Sequence, residues 1–181
     1  LMAHVIEQNT LRLEAVFDGE RPVGSTRDMR TWYTTRVAEP TQRSQISHIV
    51  VDSGWEKYAA NVAETHPDVA AWAKNDHLGF HILYLWNGTK RKYIPDFLVR
   101  FKSGKILVLE IKGEDSPQDQ AKRRAMDQWV QAVNAQGGLG HWAWDVVVGS
   151  MAAMQDVMAK HASQAGIDDA RHSDNLTSET V

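Results

Sequence analysis

Three side chains of types that can act on a phosphate group occur within one short stretch of the sequence, namely Asp96, Glu110 and Lys112. Two carboxylates can hold a divalent cation such as Mg²⁺, which prefers hard oxygen ligands. A neighbouring ammonium can orient or deprotonate an attacking water, or neutralise the charge that grows on a scissile phosphate. These residue types in this spacing favour metal-dependent hydrolysis of a phosphodiester bond.

Whether the two carboxylates meet depends on the hairpin loop at residues 102–104. A three-residue loop with its glycine in the left-handed conformation places Asp96 opposite Glu110. A two-residue loop would shift the pairing by one residue and place Asp96 opposite Ile111. Lys112 lies two residues after Glu110, so both side chains point to the same side of the strand. Facing carboxylates repel each other, and a bound cation would remove that cost.

Each of these residues also has an interpretation without catalysis. Asp96 follows a proline and is of a type that often caps a turn at a strand end. Glu110 and Lys112 are typical of the solvent face of an antiparallel strand. The combination favours the catalytic interpretation, because all three residues fall on one face beside one hairpin.

Hydrophobic periodicity and turn residues predict the elements that must position this face. The order helix, three antiparallel strands, helix, strand, helix indicates an α/β fold with a mixed central sheet flanked by helices. The predicted elements are a strand within residues 5–17, a loop over 18–30, a short apolar piece at 47–51, a helix from Asp52 or Ser53 to about His66, a helical turn over 69–74, strands at 79–86, 93–101 and 105–112, a helix over 117–134 that begins at Pro117 and ends at Gly137, a strand at 142–148 and a helix at about 150–165.

Composition places this chain of 181 residues among globular proteins, with 43% hydrophobic and 24% charged residues. We expect residues 1–50 to be an N-terminal arm or a linker, residues 51–165 to be the core, and residues 166–181 to be a disordered tail.

The absence of cysteine excludes a disulfide framework and a thiolate zinc site. It fits a reducing compartment, and because no apolar run could span a membrane, we expect a cytoplasmic location. The net charge of −3 means that any binding of nucleic acid must use local patches.

Five sequence blocks, taken in order, carry a family resemblance. They are Asp52-Ser53-Gly54-Trp55-Glu56, Lys74-Asn75-Asp76-His77-Leu78-Gly79-Phe80, Tyr93-Ile94-Pro95-Asp96-Phe97, Leu109-Glu110-Ile111-Lys112-Gly113 and Trp129-Val130-Gln131-Ala132-Val133-Asn134. The Pro95-Asp96 and Glu110-Ile111-Lys112 patterns resemble the PD-(D/E)XK nuclease superfamily. The wider stretch, about residues 30–148, resembles the C-terminal endonuclease domain of type III restriction enzymes and related helicase–nuclease proteins.

This resemblance implies a restriction-endonuclease-like core that cleaves double-stranded DNA with Mg²⁺ or Mn²⁺, with Asp96 and Glu110 as metal ligands and Lys112 as a catalytic residue. It also implies an upstream helicase-type ATPase domain of the same protein, which makes the present chain an excised part, and a partner methyltransferase subunit that recognises the target. Members of the superfamily often add a glutamate from the helix before the sheet. Glu56, at the predicted helix start, is the candidate for that role, and Glu64, two turns later, is its competitor.

Candidate DNA contacts lie outside the catalytic trio. Lys122, Arg123 and Gln128 on the long helix are candidates for phosphate contacts, and a solvated helix face is the alternative explanation. Lys92 precedes the strand of Asp96 and either contacts DNA or belongs to a charged hairpin. Lys74 lies in a block that carries the resemblance, or only ends an element.

Two other functions remain open at this point. The first is a catalytically idle nuclease-like module that serves DNA binding or subunit assembly. The second is an unrelated hydrolase with paired carboxylates, which would make the resemblance accidental.

Overall fold

The protein is described here by a computed structural model, which covers residues 2–7, 10–15, 24–113 and 116–163, the first two ranges by their backbone alone. In chain order the elements are β1 (Met2–Glu7), β2 (Thr10–Ala15), a short 3-10 helix (Thr26–Asp28), β3 (Ala38–Pro40), β4 (His48–Val50), α1 (Gly54–Thr65), β5 (Val69–Lys74), β6 (Ile82–Trp86), β7 (Thr89–Tyr93), β8 (Phe97–Phe101), β9 (Ile106–Lys112), α2 (Pro117–Gln136), β10 (Trp142–Val148) and α3 (Met151–Ser163).

The central sheet of the described residues has four strands in the order β10-β9-β8-β5. Strand β8 pairs antiparallel with both β5 and β9, whereas β9 and β10 run parallel. The sheet is therefore mixed, as predicted. The parallel pair requires a crossover connection, which α2 supplies.

The loop between β8 and β9 sets the register that was predicted for the carboxylates. Gly104 has a φ of +90°, and the backbone N–H of Phe101 donates to the carbonyl of Lys105 at 2.9 Å. The observed partners include Phe97 with Leu109, so the three-residue loop is confirmed and the shifted alternative is wrong. Continued by one residue, this register places Asp96 opposite Glu110.

The two faces of the sheet are covered by different elements. One face carries apolar side chains of the central strands, which pack with α1 and α3. The buried residues of this layer include Trp72, Phe97, Val99, Phe101, Leu107, Leu109 and Met158. The opposite face is covered by α2 and by the separate β6–β7 hairpin, and its buried residues include Ile82, Tyr93, Val108, Ala125 and Met126. The catalytic candidates lie on this second face.

The helix ends were predicted correctly from capping and helix-breaking residues in the sequence. Ser53 caps α1, and its side chain accepts from the N–H of Glu56. Pro117 is the first residue of α2, and Gly137, with a φ of +70°, follows its last turn. Strand β10 has the predicted bounds, and α3 falls within the predicted range. A cap or a breaker acts over a few residues, so it can be recognised without knowledge of the tertiary fold.

The helical turn predicted over residues 69–74 is wrong, because these residues form strand β5. Three alanines among six residues favour a helix by intrinsic propensity. In the folded chain, Trp72 is buried against Phe97 and α1, and the segment pairs with β8. Tertiary pairing and burial here outweigh a weak local preference.

The strands predicted at 79–86 and 93–101 are also only partly correct. Residues 82–86 pair with β7 in a two-stranded hairpin and do not join the central sheet. The run 93–101 is divided, because Tyr93 ends β7 whereas β8 begins at Phe97. Proline at position 95 has no N–H for a strand ladder, and it separates the two strands. Asp96 therefore lies in the turn that enters β8.

The N-terminal residues contain more structure than predicted. The single strand expected within residues 5–17 is replaced by two antiparallel strands, β1 and β2, whereas Phe17 and much of the expected loop at 18–30 lie outside the described residues. The apolar piece at 47–51 contains β4, whose Ile49 is buried in the layer with α1. Residues 166–181 lie outside the described residues. None of the helices that the structure describes is long and apolar enough to cross a membrane.

Candidate active site

Asp96, which is half-buried, and Glu110, which is buried, form a carboxylate pair at the edge of the β8–β9 ladder. Asp96 Oδ2 accepts a hydrogen bond of 2.7 Å from the N–H of Ile111, which fixes the aspartate beside β9. Burial and the nearby Glu110 charge raise the pKa of Asp96 to about 7, and burial also raises the pKa of Glu110. The pair is therefore electrostatically costly when both groups are ionised.

One oxygen of this pair has no hydrogen-bond partner among the described residues. Tyr93 lies beside the Glu110 carboxylate, and Glu110 Oε1 lies 3.1 Å from Lys112 Nζ. Glu110 Oε2 is buried and accepts no hydrogen bond from the described residues. A buried carboxylate oxygen without a donor is costly unless another group, such as a cation, completes its contacts.

Asn75 fixes the turn that presents Asp96. Its side-chain amide donates to the carbonyls of Phe80 and Pro95, both at 2.9 Å, and its backbone N–H donates to the carbonyl of Asp96 at 2.8 Å. Asn75 is itself buried, directly after β5. Strand β5, which the sequence did not predict, thus contributes to the position of the metal-ligand candidate.

Lys112 is held between two carboxylates. Its Nζ lies 3.1 Å from Glu110 and 2.9 Å from Asp119 on the first turn of α2. Burial alone would lower the pKa of Lys112, but these carboxylates raise it above its usual value, so the side chain is an ammonium at neutral pH. This geometry suits charge neutralisation better than proton abstraction.

Asp119 contacts a second lysine from the same side. Its Oδ1 accepts from Lys122 Nζ at 3.0 Å, and Lys122 lies 5.6 Å from the ring centroid of Tyr93. Burial would raise the pKa of Asp119, but hydrogen bonds from Ser116, Lys112 and Lys122 lower it below its usual value. Lys112 and Lys122 thus place two cations next to the carboxylate pair.

The structure separates the two glutamates proposed from α1. Glu56 lies near enough to Asp96 to raise the pKa of that carboxyl. Its carboxylate accepts from the N–H of Asp52 at 2.9 Å and lies 3.2 Å from Lys74 Nζ. Glu64 instead accepts from the N–H groups of residues 42 and 43 and from the indole of Trp72. Only Glu56 is close to the carboxylate pair.

The predicted DNA contacts have different surroundings. Lys74 is buried, and its Nζ also lies 2.8 Å from Asp76, so it is placed to hold Glu56 and has little surface for a phosphate. Lys92 is exposed on β7, whereas Lys122, Arg123 and Gln128 are partly buried on α2. Lys122 is the member of this group that the structure brings to the carboxylates.

Three residues of the site had no role in the sequence interpretation, namely Tyr93, Asn75 and Asp119. The first two lie in the blocks that carry the resemblance, but nothing in their spacing indicates what they contact. Asp119 lies three residues after Ser116 and forms a capping box with it, a pattern that is visible in the sequence. The pattern predicts the start of a helix and does not reveal the two lysines.

The donor set fits a cation held by few protein ligands. In the part of the chain that the structure describes, no three His, Cys, Asp or Glu side chains form a group able to hold a metal ion. A cation at Asp96 and Glu110 would therefore have no more than these two carboxylates as ligands from the described residues. Mg²⁺ is commonly held by one or two carboxylates, with water and substrate oxygens as its other ligands.

No protein-family model matches the chain, and neither a curated protein nor a solved structure is significantly similar to it. Two carboxylates with raised pKa values and a lysine whose ammonium is held in place can bind a cation and an anionic substrate together. A phosphodiester is such an anion, because its oxygens can contact a metal ion and an ammonium together.

Proposed function

We propose that this chain is a metal-dependent nuclease domain that hydrolyses DNA phosphodiester bonds, built on a restriction-endonuclease-like core. The observation that carries the proposal is the convergence of Asp96, Glu110 and Lys112 on one face, with Glu110 Oε2 buried and without a hydrogen-bond donor in the described part of the chain. The resemblance to type III restriction enzymes supports double-stranded DNA as substrate. It extends the proposal to an upstream helicase-type domain and a methyltransferase partner, in a cytoplasmic enzyme.

The roles of the residues follow from their charges. Asp96 and Glu110 would hold Mg²⁺ or Mn²⁺, which when bound supplies positive charge to a phosphate oxygen. Lys112, which is already protonated, would contact a non-bridging oxygen of the scissile phosphate and stabilise the charge that grows there. Tyr93 lies beside the Glu110 carboxylate, and Asp119 orients Lys112.

The direct test is nicking of supercoiled plasmid DNA by the purified chain in Mg²⁺ or Mn²⁺. We expect Glu110→Gln and Lys112→Ala each to lower the cleavage rate by at least about 100-fold, because each removes charge from the reacting centre. Asp156→Asn removes an exposed carboxylate of α3 and serves as the matched control, with no change expected.

Two results would contradict the proposal. Cleavage that survives Glu110→Gln would come from another site or from a contaminating nuclease. A chain that binds Mg²⁺ by calorimetry through Asp96 and Glu110 but cleaves no DNA would be the catalytically idle module.

The two glutamates of α1 give a second, paired test. Glu64→Gln is expected to lower the free energy of unfolding by about 1–2 kcal/mol, because one amide oxygen cannot replace two carboxylate oxygens that accept three N–H groups. Cleavage per folded molecule should not change. Glu56→Gln, by contrast, should lower the cleavage rate several-fold, because it changes the charge beside Asp96. Urea unfolding and nicking measure the two effects, and the reverse pattern would favour Glu64 as the active-site glutamate.

A further inference from the structure

We infer that the β6–β7 hairpin is a DNA-reading ribbon that enters the major groove of duplex DNA beside the scissile phosphate. This inference rests on the proposed nuclease function and adds to it the surface that selects duplex substrate. It is carried by the shape of the hairpin, its charge and its attachment to the active site.

The hairpin is a two-stranded ribbon separate from the central sheet. Strands β6 and β7 pair with each other from Ile82–Tyr93 to Trp86–Thr89, and among the described strands neither joins another sheet. The tip is a two-residue turn at Asn87 and Gly88, with φ values of +49° and +72°. The major groove of B-DNA is about 12 Å wide and admits a ribbon of two strands.

The charge of the hairpin is opposite to that of the whole chain. Residues 77–95 contain Lys90, Arg91 and Lys92 but no aspartate or glutamate, although the chain has a net charge of −3. All three cations are exposed. A local positive patch on an acidic chain matches a polyanion, and phosphate contacts of this kind supply most of the non-specific affinity for DNA.

One face of the ribbon is fixed on the protein and the other is open. Ile82, Tyr84 and Tyr93 are buried against α2, and the hydroxyl of Tyr84 accepts a hydrogen bond from Gln118. The outer face pairs Leu83 with Lys92 and Leu85 with Lys90. Apolar side chains between cations are suited to a groove, where they contact thymine methyl groups while the lysines reach phosphates.

The end of the ribbon that contains Tyr93 lies at the candidate active site. Tyr93, the last residue of β7, lies beside the Glu110 carboxylate. Lys92 and Lys90 precede Tyr93 by one and three residues, which is roughly 3–10 Å at about 3.4 Å per residue. Substrate held by the ribbon would therefore lie next to the carboxylate pair.

The test measures binding of a fluorescent DNA duplex of about 25 base pairs by anisotropy, in Ca²⁺, over a range of salt concentrations. All proteins carry Asp96→Asn, so that cleavage cannot interfere. The test variant is Lys90→Gln with Lys92→Gln. The matched control removes two exposed charges from the β8–β9 hairpin, as Arg100→Gln with Lys102→Gln.

We expect the ribbon variant to bind duplex at least tenfold more weakly and to lower the log–log salt slope by about 1.8, because each lost phosphate contact contributes about 0.9. The control should bind within twofold of its parent, and a single strand of the same sequence should show a smaller loss.

Equal binding by the ribbon variant and the control would overturn the inference, as would failure of the parent to bind duplex. A change in oligomeric state without a change in DNA affinity would instead make the ribbon a protein-docking surface. These results do not depend on cleavage. An inactive chain that binds duplex through the ribbon refutes the nuclease proposal alone.

Discussion

Asp96→Asn is expected to stabilise the metal-free protein at neutral and alkaline pH while it abolishes metal-dependent cleavage. The asparagine side chain can still accept the hydrogen bond from the N–H of Ile111, so the local geometry is retained. What it removes is the half-buried member of a pair of carboxylates that repel each other. A site that costs stability in the absence of its ligand is typical of functional sites.

The pH dependence follows from the raised pKa of Asp96. The pKa is about 7 in the folded protein and 3.8 in the unfolded chain, so between these values the folded state binds more protons. Stability therefore falls as the pH rises from about 4 to 7, and the full cost is present above pH 7. At about 1.4 kcal/mol per pKa unit the upper bound is roughly 4 kcal/mol, and we expect a gain of about 1–2 kcal/mol after relaxation of the site.

Urea unfolding at pH 5 and pH 8, without divalent ions, measures this effect. The wild type should lose stability between the two pH values, whereas Asp96→Asn should lose less. Asp156→Asn, on the exposed face of α3, should behave as the wild type. If Asp96→Asn is less stable than the wild type at pH 8, the carboxylates do not repel each other and the account of the site is wrong.

The same variant tests metal binding through linkage. A ligand that binds only the folded state stabilises it in proportion to the logarithm of its concentration relative to Kd. Mg²⁺ should therefore raise the Tm of the wild type at pH 8, and Asp96→Asn should lose most of this shift.

The sequence was sufficient for those parts of the site that depend on local geometry. The glycine at position 104 predicted the loop, and the loop predicted the pairing that places Asp96 opposite Glu110. Alternation along β9 then placed Lys112 on the same face. These steps needed only the two-residue period of a strand and the conformational freedom of one glycine.

The parts that failed depend on contacts that are distant in the sequence. The alanine-rich segment at 69–74 is a strand because it pairs with β8, a contact that no local pattern encodes. The hairpin of β6 and β7 stands apart from the central sheet for the same kind of reason, because its apolar face packs on α2. Asn75 directly follows β5, and Tyr93 is the last residue of β7. Because both segments were assigned wrongly from the sequence, the contacts of these two residues could not be predicted either.

Asp119→Asn is expected to lower the cleavage rate by about 10- to 100-fold, the usual effect of removing a group that orients an active-site residue. The two carboxylate oxygens of Asp119 have different hydrogen-bond partners. Oδ1 accepts from Lys112 and Lys122, and Oδ2 accepts from the N–H and hydroxyl of Ser116. The variant removes the charge that holds the two lysines beside the carboxylate pair.

Ser116→Ala is the control that separates this role from helix capping. It removes the hydroxyl of the capping box and should cost about 1 kcal/mol of stability, but it leaves the contacts of Oδ1 with Lys112 and Lys122. Compared at equal folded fraction, Ser116→Ala should retain the wild-type cleavage rate. Equal losses in the two variants would mean that Asp119 acts only through the start of α2.

The pH profile of cleavage gives the decisive readout for Asp119. Burial lowers the pKa of Lys112, and the hydrogen bond to Asp119 is the strongest of the contacts that raise it. Without that carboxylate the ammonium loses its proton at a lower pH, so the alkaline limb of the rate profile should move to lower pH in Asp119→Asn and stay in place in Ser116→Ala. An unshifted limb in Asp119→Asn would show that Lys112 does not act as a cation in the reaction, and Lys122 would then be the cation at the scissile phosphate.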